Sequence, residues 1–195
     1  MSVQTVVAVV VSYLLGSIPT GLWLGLWLRR VDIREHGSKN IGATNTLRVL
    51  GKGLGILALL GDVGKGLAAV LLVARLSTWP HAPLVCGVAA IFGHTASLFI
   101  RFKGGKGVAT GLGVFLGLCP IPILIGFGTF IVVVAVTHMV SAGSIAGAVA
   151  LAVALYVFTV SWPIRVVASL VAFVVILKHH SNIRRILRGE ENRLW

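Results

Sequence analysis

The sequence is short of charged residues, and of acidic ones above all. Only 11% of its 195 residues are charged and 57% are hydrophobic, and the mean hydropathy is +0.99. A soluble domain usually carries about 25% charged residues, so the composition excludes an ordinary soluble protein and predicts an integral membrane protein. The five acidic residues are outnumbered by 17 lysines and arginines, which gives a formal net charge of +12.

Cysteine is scarce as well. Cys86 and Cys119 are the two in the chain and lack the spacing of metal ligands, so we expect free thiols that act as small apolar residues. No acidic cluster could bind magnesium for a nucleotide. The adjacent His179 and His180 have no carboxylate or cysteine beside them, and the sequence therefore predicts no metal site and no cofactor.

Several catalytic motifs are absent. No His-x-x-x-x-Asp pair is present, which excludes the general-base arrangement of soluble-domain acyltransferases. No Gly-x-Ser-x-Gly elbow occurs. Neither Lys103 nor Lys106 belongs to a Walker A sequence, because the first glycine of that motif, upstream of each lysine, and the Ser or Thr that follows the lysine are missing. The sequence therefore lacks the nucleophile elbow of α/β-hydrolases, and a Walker A nucleotide-hydrolysis loop is excluded.

Long apolar segments are what the chain does contain. Because no basic side chain precedes the first of them, we expect it to remain as an anchor and not to be cleaved as a signal peptide. Prolines separate the fourth segment from the fifth and the sixth from the seventh. Seven segments result, at residues 3–28, 54–74, 84–100, 107–119, 121–138, 145–160 and 164–178.

The distribution of the basic residues predicts the topology. With seven spans, the segments on one side are 29–53, 101–107, 139–144 and the C-terminal tail, and 14 of the 17 basic residues lie in the first, the second and the last of them. Since basic loops stay in the cytoplasm, we predict an all-α membrane protein with seven transmembrane helices, an outside N-terminus and a cytoplasmic C-terminus. Five spans with re-entrant short segments is the alternative. We expect one domain over residues 1–195 and no nucleic-acid partner, because the charge suits membrane lipid and phosphate-bearing substrates.

The first basic loop runs from Arg34 to Arg48 and alternates small and polar residues. Ser38, Lys39, Asn40 and Arg48 could each bind phosphate. A solvated loop whose cations meet anionic headgroups is an equally good interpretation of this segment alone.

The second basic loop, Phe102-Lys103-Gly104-Gly105-Lys106-Gly107-Val108, follows His94 at the end of the third apolar segment. Lysines next to hydrocarbon need a partner, and glycines let the backbone approach it. The pattern indicates a phosphate held by backbone N–H groups and lysine side chains.

Other polar residues lie within or beside the apolar segments. His138 to Ser144 form a predicted inside turn, and Lys178 to Arg185 begin the basic tail. Asp62 and Lys65 lie three residues apart inside the second segment, which favours a structural ion pair over direct catalysis. The predicted inside face has few carboxylates, among them Asp32 and Glu35, so it suits an already activated phosphorylated substrate.

Two long motifs resemble the PlsY family of bacterial membrane acylphosphate:glycerol-3-phosphate acyltransferases. The first is Gly37-Ser38-Lys39-Asn40-Ile41-Gly42-Ala43-Thr44-Asn45 followed by Arg48, and the second is Gly93-His94 with Phe102 to Thr110. The match extends along essentially the whole chain.

The resemblance implies seven transmembrane helices in the bacterial inner membrane and an active site that opens to the cytoplasm. It also implies acyl transfer from acyl phosphate to the first hydroxyl of glycerol 3-phosphate, with lysophosphatidic acid and phosphate as products. Lys106, Arg48 and His179 are the expected catalytic residues. With the ligands of both basic loops, the candidate substrate-binding set is Ser38, Asn40, Asn45, Arg48, Lys103, Gly104, Gly105, Lys106, Ser144, His179 and Asn182.

The chain departs from the family pattern at Lys39, where glycine is usual, and at Ala96-Ser97, where an aromatic-proline pair is usual. An acyl phosphate has a good leaving group, so we expect no covalent nucleophile and a substrate phosphate oxygen as proton acceptor, with His179 or His94 as alternatives. An anion transporter and a non-catalytic headgroup sensor are the competing functions. Acyl-chain preference and oligomeric state are not set by the sequence.

Overall fold

A computed structural model describes residues 2–158 and 160–194, and all regular secondary structure in those two ranges is helical. The predicted all-α class is therefore confirmed. The chain divides into two compact units, Met1–Leu118 (unit 1) and Cys119–Trp195 (unit 2). The prediction of a single domain over residues 1–195 stays a prediction.

The described part of unit 1 contains six α-helices and two short 3-10 turns. The turns are Val73–Leu76 and Leu98–Ile100. The helices are α1 (Val3–Ser17), α2 (Thr20–Arg29), α3 (Ala43–Leu50), α4 (Lys52–Leu71), α5 (Ala82–Thr95) and α6 (Val108–Leu118). In the described part of unit 2 they are α7 (Pro120–Thr137), α8 (Val140–Val157), α9 (Trp162–Lys178) and α10 (His180–Leu187).

A break at Pro19 separates α1 from α2, and the two helices meet at an angle of 47°. A proline cannot continue the hydrogen-bond ladder, so carbonyl groups on its N-terminal side need other donors. Ser97 Oγ donates to the Ser17 carbonyl at 2.5 Å, and Lys65 Nζ donates to the Ile18 carbonyl at 2.7 Å. The break is therefore stabilised by side chains from two other segments.

Helix α5 ends, and α6 begins, beside the middle of α4. The His94 ring, near the end of α5, lies 3.7 Å from the Asp62 carboxylate of α4. Gly66 of α4 lies directly against the Thr110 carbonyl in the first turn of α6. Helix α6, which has 11 residues, therefore packs beside only the second half of α4.

Four helical segments are long and apolar enough to cross a membrane: Lys52–Leu76, Ala82–Ile100, Pro120–Thr137 and Val140–Val157. The number rises to six if α1 with α2 and α9 with α10, which meet at 56°, each form one bent span. At 1.5 Å per residue α6 is about 16 Å long, well short of the ~30 Å hydrocarbon core. Exposed apolar side chains such as Leu60, Val132 and Val153 suit contact with lipid.

The boundaries differ from the predicted ones at three places. Residues 140–144, expected in an inside turn, form the first turn of α8, because small residues there continue the helical packing face. Predicted segment 3–28 is broken at Pro19, and predicted loop 29–53 contains the amphipathic helix α3 and the start of α4. A sequence segment can be apolar throughout and still change direction at one proline.

Candidate active site

Asn45 organises the first basic loop from the inside. Its side chain is 1% exposed, and its Nδ2 donates to the carbonyls of Ile33 at 2.8 Å, Asn40 at 2.9 Å and His36 at 3.2 Å. Its Oδ1 accepts from the Ser38 N–H at 2.8 Å. Both ends of this amide are therefore used to fold residues 33–40 over the start of α3.

Two residues of this loop have left-handed backbones. Gly37 has φ +58°, and a Cβ there would overlap Asn45 Oδ1, so the position needs glycine for both conformation and space. Lys39 has φ +57° and an exposed side chain. A left-handed conformation costs a non-glycine residue about 1–2 kcal/mol. Ser38, between them, is exposed, and Asn40 Oδ1 accepts from the Gly42 N–H at 2.9 Å.

Asp32, one of the few carboxylates near this loop, forms an ion pair with Arg34. Arg34 NH2 lies 2.6 Å from Asp32 Oδ2, and Arg34 Nε also donates to Asp32. The Arg34 hydrogen bonds lower the pKa of Asp32 below its ordinary value. Asp32 is therefore a poor proton acceptor for catalysis.

The second basic loop packs tightly on the end of α5. Arg101 and Phe102 have left-handed backbones, with φ values of +52° and +61°. The Gly105 N–H donates to the His94 carbonyl at 3.0 Å. A Cβ on Gly104 would overlap the His94 carbonyl oxygen, and a Cβ on Gly105 would overlap His94 Nε2. The two glycines thus let the loop lie directly on α5, just before Lys106.

A buried polar junction lies at the level where α5 ends. Lys65 Nζ is 2.8 Å from Asp62 Oδ1, and the Thr20 hydroxyl donates to the same oxygen at 3.0 Å. Asp62 is 1% exposed and His94 4%. The predicted ion pair between Asp62 and Lys65 is therefore present, and both side chains are buried.

In unit 2, Glu191 connects α10, the first turn of α8 and the tail. Its Oε1 accepts from Asn182 Nδ2 at 2.6 Å and from the Ser141 hydroxyl at 2.8 Å, while its Oε2 accepts from Arg185 Nε at 2.7 Å. The residue is 7% exposed. Burial raises the pKa of Glu191, but these hydrogen bonds and the Arg185 charge outweigh it, so the pKa lies below its ordinary value.

His179 and Ser144 each have a fixed hydrogen bond in this unit. His179 is 2% exposed, and its Nδ1 lies 2.7 Å from the Val175 carbonyl. A carbonyl can only accept, so Nδ1 carries the proton and Nε2 holds the lone pair of the neutral ring. The Ser144 hydroxyl donates to the Val140 carbonyl at 2.8 Å, which leaves its oxygen able to accept.

The described residues contain no group of three His, Cys, Asp or Glu side chains that could hold a metal ion. Both cysteines are free thiols, as expected. The basic loops of unit 1 supply lysine and arginine cations, which can bind phosphate. Unit 2 supplies hydroxyl, amide and imidazole groups, which can orient an alcohol.

Comparison with known proteins identifies the family. The family model described as glycerol-3-phosphate acyltransferase matches residues 6–189. The chain belongs to the glycerol-3-phosphate acyltransferase family. It is therefore an acyltransferase of phospholipid synthesis and an integral membrane protein.

Individual relatives agree with this assignment over nearly their whole length. Glycerol-3-phosphate acyltransferase of Geobacter sulfurreducens is 49% identical over 185 residues, which cover 94% of each chain. The Trichlorobacter lovleyi enzyme of the same name is 48% identical over 182 residues, 93% of each chain. A crystal structure of PlsY, an integral membrane glycerol 3-phosphate acyltransferase in its glycerol 3-phosphate form, has a TM-score of 0.91 at 34% identity and covers 98% of this chain and 96% of its own. PlsY in its lysophosphatidic acid form has a TM-score of 0.89.

The acyltransferase fold distributes the predicted site residues over both units. Unit 1 holds one set: Ser38, Asn40, Asn45, Arg48, Lys103, Gly104, Gly105 and Lys106. Unit 2 holds Ser144, His179 and Asn182. Asn45 and Asn182 already make hydrogen bonds within their own units through the amide groups proposed to touch substrate. The Gly105 N–H is likewise engaged with His94.

Glu191 is the residue that sequence reasoning missed. The carboxylates weighed for the inside face were Asp32 and Glu35, whereas the one that orders Asn182 lies in the C-terminal tail. A glutamate nine residues after an asparagine gives no periodic signal. The adjacent pair Glu190-Glu191 also offers nothing that distinguishes the buried carboxylate from the exposed one.

We expect replacement of Glu191 by glutamine to lower stability by about 1–3 kcal/mol, because Arg185 and Asn182 lose a charged acceptor. The Glu191 pKa in the folded protein lies below its ordinary value of 4.5. The ionised Glu191 carboxylate therefore makes its full contribution to the free energy of unfolding above pH 4.5. That contribution is lost as the pH falls through the folded-state pKa. Thermal unfolding of the detergent-purified protein between about pH 7 and pH 3 should show a shallower acid decline for Glu191→Gln.

The matched control for this prediction is Glu190→Gln. Glu190 is exposed and is the next residue along the chain, so this variant should follow the wild-type curve. Equal acid sensitivity of wild type and Glu191→Gln would show that the Glu191 contacts do not contribute to stability.

Proposed function

We propose that this chain transfers a long-chain acyl group from an acyl phosphate to the sn-1 hydroxyl of glycerol 3-phosphate. The products are lysophosphatidic acid and inorganic phosphate. The observation that carries the proposal is the similarity to PlsY in its glycerol 3-phosphate and lysophosphatidic acid forms. These two compounds are the acceptor substrate and the product of the proposed reaction. The cation-rich, carboxylate-poor loops of unit 1 support it, because both proposed substrates are phosphate esters or anhydrides.

The proposed orientation follows the positive-inside rule. Seven spans, with α6 as the short one, would place the N-terminus outside and the C-terminus in the cytoplasm of a bacterium. The protein would then lie in the inner membrane as a single domain, with its basic loops toward the cytoplasm. Glycerol 3-phosphate is water-soluble and an acyl phosphate is lipid-like, so a cytoplasmic membrane surface gives access to both.

We assign phosphate binding to Lys106 and Arg48, with Lys103 and the backbone at Gly104 contributing to the same loop. Ser38, Asn40, Ser144, His179 and Asn182 would orient glycerol 3-phosphate. Asn45, whose amide holds the loop carbonyls, and Gly105, which packs on His94, act by positioning their neighbours.

The chemistry needs no cofactor. The sn-1 hydroxyl oxygen attacks the acyl carbonyl carbon, the bond from that carbon to the phosphate oxygen breaks, and phosphate leaves. Lys106 and Arg48 stabilise the charge that develops on the leaving phosphate. The hydroxyl proton passes to a phosphate oxygen of the substrate, so no side-chain base is required.

The decisive experiment compares acyl donors. Purified protein in detergent is given radiolabelled glycerol 3-phosphate with palmitoyl phosphate or with palmitoyl-CoA. We expect lysophosphatidic acid from palmitoyl phosphate alone. Product only from palmitoyl-CoA would overturn the donor assignment, and product from neither would favour the transporter or sensor functions.

Lys39 gives a further prediction for the proposed acceptor site. Its exposed ammonium is next to Ser38, in a conformation that favours glycine. Loss of one exposed charge is worth about 0.2–1 kcal/mol, so we expect Lys39→Asn to raise the KM for glycerol 3-phosphate by about 2- to 5-fold. Asparagine tolerates the left-handed backbone, which keeps the loop folded.

Lys39→Arg keeps the charge and is the control. It should retain the wild-type KM, and the difference between the two variants should shrink at high salt. An unchanged KM in Lys39→Asn at low salt would remove Lys39 from the acceptor site.

A further inference from the structure

His94 belongs to two groups of contacts at once. On one side, its Nδ1 faces the Asp62 carboxylate at 3.7 Å, and Asp62 is already held by Lys65 and Thr20. On the other side, the second basic loop lies against it. The His94 ring reaches that loop at Gly105.

The contact between His94 and the loop involves both backbone and ring. The His94 carbonyl accepts from the Gly105 N–H at 3.0 Å, and the ring atom Nε2 would overlap a Cβ on Gly105. Lys106 is the next residue. A displacement of Gly105 by even a fraction of an ångström therefore moves the start of the Lys106 side chain.

We infer that His94 is a positioning residue for Lys106: its imidazole, which lies between Asp62 and Gly105, supports Gly105 and so fixes where the Lys106 ammonium meets phosphate. The inference rests on the proposed phosphate-binding role of Lys106. It concerns the geometry of the loop, which can be measured without turnover.

The geometry also argues against His94 as the general base. Its Nδ1 faces the Asp62 carboxylate at 3.7 Å and its Nε2 lies against the Gly105 backbone, so both ring nitrogens face groups of the protein. A base must approach the reacting hydroxyl within hydrogen-bond distance. Of the two histidines left open by the sequence, His94 is therefore assigned to the support of the loop.

The contact between His94 and Gly105 can be tested by enlarging residue 105, shortening residue 94 and combining the two changes. Gly105→Ala should place a methyl group on His94 Nε2 and displace the loop, with a loss of about 10²-fold in kcat/KM for palmitoyl phosphate. His94→Ala should lose about 10-fold because the support is removed. The double variant should recover at least about 10-fold over Gly105→Ala, since the alanine at 94 makes room for the new methyl.

Gly104→Ala supplies the matched negative control. A Cβ there overlaps the His94 carbonyl and the Thr95 backbone, which no side-chain change at position 94 can remove. Adding His94→Ala to Gly104→Ala should therefore restore nothing. Thr95→Val serves as a second control, because it keeps the shape of the neighbouring residue and removes only a hydroxyl bonded within α5, to Phe92.

Amide hydrogen exchange of the segment 101–107 in the purified protein gives a readout independent of activity. We expect exchange about 10-fold faster in Gly105→Ala, near-wild-type exchange in the double variant, and no change in Thr95→Val. If His94→Ala fails to fold, His94→Asn keeps a polar group toward Asp62 and replaces it in both the kinetic and the hydrogen-exchange experiments.

Two results would overturn the inference. One is a double variant with the same exchange and kcat/KM as Gly105→Ala, and the other is equal rescue of Gly104→Ala. If the wild type makes no product from palmitoyl phosphate, the proposed function fails, whereas the exchange data still decide whether His94 supports the loop.

Discussion

Lys106→Met should lower kcat/KM for palmitoyl phosphate by about 10³-fold, the upper range for loss of one group that stabilises developing negative charge. Methionine keeps the apolar stem of the side chain and removes its ammonium. The backbone of the loop is fixed independently by Gly105 on His94, so the fold should survive. Steady-state kinetics, with thermal unfolding as a check of folding, measure both quantities.

Arg101→Asn is the control for the charge of the loop. Arg101 is an exposed cation with φ +52°, a conformation that asparagine tolerates. If the Lys106 effect is specific, Arg101→Asn should change kcat/KM by no more than about 5-fold, as expected for an exposed charge. Comparable losses in both variants, both abolished by salt, would mean that the loop only attracts anions.

The sequence was sufficient for the features that depend on local patterns. Apolar segments predicted the long helices, although not α3 or the break at Pro19. The spacing of Asp62 and Lys65 predicted their ion pair, because residues three apart share a helix face. The two basic loops were located by composition alone. Family motifs then singled out Lys106 within the second loop.

Features that depend on distant partners were not predictable in this way. Asn45 suggested a substrate ligand, yet its amide is used by the loop carbonyls of Ile33 and Asn40. Gly105 suggested a phosphate cradle, whereas its N–H bonds to His94. A glycine allows the backbone to approach a ligand or a neighbouring helix equally well. The sequence therefore could not distinguish these two roles, which depend on how the loop packs.

His179→Gln should raise the KM for glycerol 3-phosphate by about 10²-fold while kcat at saturation falls by less than about 10-fold. The physical reason is that Nδ1–H is held by the Val175 carbonyl, which gives Nε2 a fixed direction as a hydrogen-bond acceptor for the substrate. A binding group that is not the base affects KM more than kcat. His180→Asn is the matched control, because His180 is exposed and follows directly in the chain.

Two variants of His179 distinguish the roles of its ring nitrogens Nδ1 and Nε2. Asparagine can keep the donor at the Nδ1 position and lacks the Nε2 position, whereas glutamine reaches the latter and loses the former. If acceptance at Nε2 matters, His179→Asn should be the poorer enzyme. Should either variant bind glycerol 3-phosphate normally by calorimetry and yet turn over at least 10³-fold more slowly, a loss of the size expected for a general base, His179 would be the proton acceptor and the substrate-assisted step would be wrong.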